Sequence, residues 1–108
     1  MSGKKIARGS TNVFADLGFA DAEEMQTKAR LTQAINAIIE ERGLTQAKAA
    51  ALLDVAQPKV SALTHYKLEG FSVERLMTYL TALDRDVQIV IKKKPRSRVS
   101  GRISVEAS

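Results

Sequence analysis

The sequence predicts a mainly α-helical domain of four to five helices that contains a helix-turn-helix and ends in one β-strand. Three observations predict it. Residues 45–63, TQAKAAALLDVAQPKVSAL, carry helix-turn-helix spacing. Leu31, Ile35, Ile38 and Ile39, and later Val73, Leu76, Met77, Leu80 and Leu83, recur at helical period. Val87, Ile89 and Ile91 alternate with Gln88, Val90 and Lys92 at strand period.

Residues 1–12, MSGKKIARGSTN, show no period and predict a flexible N-terminal arm. Val13, Phe14, Leu17 and Phe19 form an apolar cluster that suits about one helical turn. Asp21 is suited to cap a long helix, with Glu23 and Glu24 near its positive end. That helix should run to Arg42, where Gly43 supplies a left-handed cap. Thr45 caps the next helix, which ends near Leu53. Pro58 disfavours helical geometry at Gln57 and suits a first helical turn, so a recognition helix is expected over about 58–66. After the loop Lys67–Phe71, Ser72 caps a last helix that reaches about residue 83. A lone strand leaves its backbone edges unpaired. The strand over 87–92 therefore needs a return strand from Arg98–Val105 or the same strand of a second copy. The expected boundaries are an arm at 1–12, a helix-turn-helix domain with terminal strand at 13–92, and a basic tail at 93–108.

The helix-turn-helix spacing has steric reasons. Counted from Gln46, position 5 is Ala50, small enough for the closest contact of two steeply crossed helices. Leu53, Val55, Val60 and Leu63 supply the apolar residues that fix the crossing. A second helix held at that angle can enter the major groove of duplex DNA.

Composition narrows the alternatives. The 108 residues suit one domain. There is no Cys, so disulfides and thiolate chemistry are excluded, and a reducing cytoplasm is the expected compartment. No apolar run approaches the ~18 residues of a membrane span. Five aromatics without a Trp argue against a stacking platform for single strands. The net charge of +5 sits at the ends: residues 1–20 carry +2 and residues 92–108 carry +5, with the middle nearly balanced. With one His and no glycine-rich phosphate loop, neither an enzyme nor a metal site is indicated, and no cofactor is expected.

Gln46 and Gln57 stand at the starts of the two motif helices. Gln donates and accepts at once, which suits bidentate pairing with adenine, while a helix start can hold a phosphate. Gln57 is assigned to base edges and Gln46 to phosphate. Lys59 and Ser61 are expected on the outward face of the recognition helix, for bases or phosphate. Ala62 and Thr64 could touch a thymine methyl. Lys48 and Lys67 flank the motif as phosphate contacts, and His65 is a surface or phosphate-adjacent residue. Tyr66 and Tyr79 are expected to be partly buried.

The chain resembles the Xre (lambda-repressor-like) helix-turn-helix family and, within it, the HigA-type antitoxin branch. Three blocks over residues 12–92 carry the resemblance: NVFADLGFADAEEM, GLTQAKAAALLDVAQPKVSAL and GFSVERLMTYLTALDRDVQIVI. It implies a compact helical domain ending in a strand, dimeric on a palindromic DNA operator. It also implies a product that neutralises a RelE/HigB-like ribonuclease toxin and represses its own operon. Gln46 and Gln57 match the glutamines that cooperate at a phosphate and an adenine. One departure is Asp54, where the family usually has Gly; Asp tolerates the left-handed conformation at modest cost. Two other readings compete with a homodimeric repressor. One is an antitoxin whose main role is protein binding through the segment from Ile6 to Phe19; the other is a basic nucleic-acid-binding protein without sequence preference.

Overall fold

A computed structural model describes residues 19–107, with side chains from residue 21 onward. Four helices follow one another: α1 (Phe19–Glu41), α2 (Gln46–Leu53), α3 (Gln57–Thr64) and α4 (Val73–Ala82). The 1–12 arm and Val13, Phe14 and Leu17 lie outside the described residues.

Helix α1 begins at Phe19, so Asp21 sits within its first turn and is not its cap. The other predicted caps form. Thr45 accepts a hydrogen bond from the Lys48 N–H, and Ser72 accepts one from the Arg75 N–H. All four helices close by one device, a left-handed residue that lets two successive N–H groups reach back into the last turn. These residues are Gly43, Asp54, Tyr66 and Asp84, with φ of 62°, 59°, 57° and 68°. At the helix-turn-helix, the Asp54 N–H bonds to the Ala51 carbonyl and the Val55 N–H to that of Ala50. The turn that Gly usually makes thus survives with Asp.

Two apolar clusters hold the helices. Ala49, Ala50 and Val60 form the smaller one, where α2 crosses α3, with Ile39, Leu44 and Val55 at its rim. Alanine-sized contacts bring the two axes together, as the spacing predicts. The larger cluster joins Leu31, Ile35 and Ile38 of α1 to Leu53, Leu63, Leu76, Leu80 and Leu83. The helix α1 packs mainly on α4, and α2 on α3. Phe71 lies in the loop where it was placed, and it is buried and meets Tyr79 edge to face at 6.1 Å. Tyr66 is instead exposed, because its left-handed backbone follows the end of α3. Burial raises the Tyr79 phenol above its ordinary value, with the Arg75 charge opposing.

The expected C-terminal strand does not form among the described residues. Residues 86–94 make no backbone–backbone hydrogen bond there. The physical reason is the lack of a mate among the described residues. The stretch that could have returned beside it runs instead to the first half of α1. There the Ile103 N–H donates to the Glu23 carboxylate at 3.1 Å, and Val105 packs against the larger cluster. The predicted basic tail is therefore pinned near its far end.

Thr32 is fully buried in α1, and its hydroxyl has no hydrogen-bond partner among the described residues. An unpaired buried hydroxyl costs about 1–3 kcal/mol. Thr32→Val keeps the branched shape and removes that penalty, so urea unfolding should show a gain of roughly 1 kcal/mol. A loss of stability would mean that the hydroxyl is satisfied.

Candidate nucleic-acid interface

Helix α3 is short, with Ala56 at its cap position and Pro58 in its first turn. Val60 and Leu63 anchor it from below. Its C-terminal end is held from a third helix: Asn36 of α1 donates through Nδ2 to the Leu63 carbonyl at 3.1 Å. Sequence periodicity gave no sign of this bond, because Asn36 is half-buried beside an apolar stripe.

The surface residues of α3 fall into two groups. At ~100° per residue, Gln57, Ser61 and His65 are spaced four apart and make one row along the helix. Gln57 and His65 are exposed and Ser61 is half-buried. The His65 ring nitrogen Nδ1 lies 2.9 Å from the Ser61 carbonyl. A carbonyl only accepts, so Nδ1 is the donor in this hydrogen bond. Thr64 is exposed, but its hydroxyl donates to the Val60 carbonyl at 3.0 Å, leaving its methyl the freer end. Ala62 is half-buried against the larger cluster.

Lys59 belongs to the second group. It was expected beside Ser61, yet two helical steps separate them by about 160° around the axis. The ammonium lies 4.8 Å from the centroid of the Phe71 ring. A Cβ built on Gly70 would come within 3.3 Å of it. Lys67 is exposed just beyond α3, and its N–H bonds to the Ala62 carbonyl. Gln46 and Lys48 are exposed in the first turn of α2. The N–H groups of a helix's first turn lack partners within the helix and point outward along the axis, where they suit an anion. Thr45 takes that of Lys48, so Gln46 and Ala47 are the ones best placed.

The described chain thus brings Gln57, Ser61 and His65 onto one row, with Lys59 on another flank. Among the described residues no group of three His, Asp or Glu side chains could hold a metal ion. No described helix is long and apolar enough to cross a membrane.

A family described as a helix-turn-helix domain matches residues 13–92. A solved structure assigned to the XRE family of transcriptional regulators is 68% identical. It superposes with a TM-score of 0.78 and covers 82% of this chain and 99% of its own. The chain belongs to the XRE family of helix-turn-helix proteins. No curated protein matches it. In this XRE protein the motif helices α2 and α3 fall where Gln46-to-Leu63 spacing places them. Reasoning from sequence missed Phe71 and Asn36, which act on α3 from the loop that follows it and from α1. The one available signal was Phe71 itself, an aromatic after Gly70 whose period matches no helix.

Proposed function

We propose that this chain is a homodimeric, sequence-specific DNA-binding transcriptional repressor that inserts α3 into the major groove. The observation that carries the reading is the Gln57–Ser61–His65 row, exposed at Gln57 and His65, along a short helix held by buried Val60 and Leu63 and by the part-buried Asn36 bond. The likeness to an XRE transcriptional regulator at 68% identity supports it. In this reading Gln57 pairs with a base edge, and Ser61, Thr64 and His65 touch neighbouring bases. Gln46, Lys48 and Lys67 hold phosphates and so set register and affinity. Ala62 can offer a methyl contact only from the part of its surface left open.

Two copies are needed because one short helix spans a few base pairs. A two-fold dimer presents its α3 pair about 34 Å apart, one helical turn of DNA, and so requires a palindromic operator. Support for the dimer comes from the aliphatic stretch Val87–Ile91, whose backbone has no partner among the described residues. Gln57→Ala should weaken operator binding by roughly 1–3 kcal/mol while hardly changing affinity for random duplex. Equal operator affinity in fluorescence anisotropy would remove Gln57 from the reading face.

A finer version makes this repressor the antitoxin of a toxin–antitoxin operon, with a RelE/HigB-like ribonuclease as partner. The order of the three sequence blocks over residues 12–92 supports it. Co-expression with the product of the adjacent gene tests it: rescue of growth is expected. A neighbour that is harmless when expressed alone would eliminate this version.

A further inference from the structure

We propose that Phe71 is a positioning residue that holds Lys59 as a phosphate clamp at the edge of the DNA face, separate from the base-reading row. The inference rests on the DNA-binding reading above and adds a division of labour within α3. Three observations carry it. The Lys59 ammonium stands 4.8 Å from the Phe71 centroid, within the range where the negative face of an aromatic ring attracts a cation. Phe71 is itself seated in the core, 3% exposed and braced edge to face by Tyr79. The ring thus presents a fixed face to a flexible side chain. Finally, Gly70 puts no side chain beside the ammonium, where a methyl would stand 3.3 Å away and crowd it by a few tenths of an ångström.

The geometry decides between the two uses of a lysine on a recognition helix. A base contact needs the side chain in the groove, on the side of Gln57, Ser61 and His65. Lys59 leaves the helix about 160° around from Ser61 and is held against the loop after α3. A duplex that receives the row in its major groove has its sugar–phosphate walls on either side of the helix. A cation on the flank meets such a wall. Holding it there beforehand removes part of the ordering cost that a free lysine bears on binding. The ligand is the phosphate backbone, whatever the base sequence.

The test is the salt dependence of binding to a random-sequence duplex and to the DNA upstream of the protein's own gene. Each phosphate neutralised contributes about 0.9 to the slope of log affinity against log salt. Lys59→Ala should lower the slope by about one on both duplexes and leave the ratio of the two affinities unchanged. Phe71→Leu keeps apolar bulk in the core but removes the aromatic face. It should weaken both duplexes alike, about two- to fivefold, with the slope retained, and have no further effect in the Lys59→Ala background.

If Phe71→Leu does not fold, NMR of the unaltered protein still decides. The Lys59 ε-methylene protons should be shifted upfield by the ring current, and unshifted protons overturn the proposal. A Lys59→Ala variant with unchanged slope, or with its loss confined to the specific duplex, also overturns it. Failure of the DNA reading itself looks different, since the parent protein would then bind neither duplex.

Discussion

Leu63→Ala should lower the unfolding free energy by about 2–5 kcal/mol, the usual cost of emptying a buried leucine site. Leu63 has no exposed surface, lies on the inner side of α3 and belongs to the cluster that joins all four helices. Its loss removes apolar contacts with a neighbour on every side, and the helix above it cannot sink far into the gap. Val60 rests on the separate alanine cluster, and the Asn36 bond fixes the Leu63 backbone. Little relaxation means that most of the cavity cost remains. For a domain of this size each kcal/mol moves the melting temperature by roughly 4–8 °C, so a fall of at least about 8 °C is expected. Met25→Ala, at a side chain 69% exposed, serves as the control and should stay within about 0.5 kcal/mol of the parent. Thermal unfolding followed by circular dichroism separates the two. A Leu63→Ala variant that melts with the control would mean that α3 is not seated on the core as described.

The seating of α3 also shows which parts of the molecule could be read from local chemistry. Gly43, Thr45, Asp54 and Ser72 announce helix ends through their own side chains or backbone freedom, and each forms the cap its type suits. The stripes on α1 and α4 are legible for a similar reason, since a helix repeats its buried face every three to four residues. Phe71 is another matter. It sits between elements, where no period exists, and its burial depends on how α4 folds back onto α1. Tyr66 misled in the opposite sense: its size suggests packing, yet the left-handed conformation that ends α3 carries it outward. Lys59 and Ser61 look alike on a list of polar residues between Val60 and its neighbours. Helical geometry alone sets them about 160° apart, and the Phe71 ring shows where the Lys59 ammonium comes to rest.

The stretch Val87–Ile91 raises the same issue at the level of the whole assembly. Alternation predicts a strand there, yet none forms among the described residues, because a strand exists only when a second strand supplies hydrogen bonds. In the single chain Ile89 is 73% exposed, Val90 72% and Ile91 94%. Such a run on a bare edge invites pairing with another chain. A second copy meeting it about a two-fold axis would satisfy the backbone and cover aliphatic side chains on both faces. The paired substitution Ile89→Asn with Ile91→Asn tests this with little risk to the monomer, since both side chains lie largely in solvent. Asn is neutral, so the charge that attracts DNA is unaltered, and its low strand propensity opposes pairing. Sedimentation should show the parent as a dimer and the variant as a monomer with its helical circular dichroism intact. Operator affinity should fall about 10²–10⁴-fold, because the second half-site is no longer engaged by a tethered partner. Affinity for random duplex should fall far less per subunit. A variant that still sediments as a dimer would place the interface elsewhere, and one that is monomeric yet keeps full operator affinity would show that a single α3 suffices.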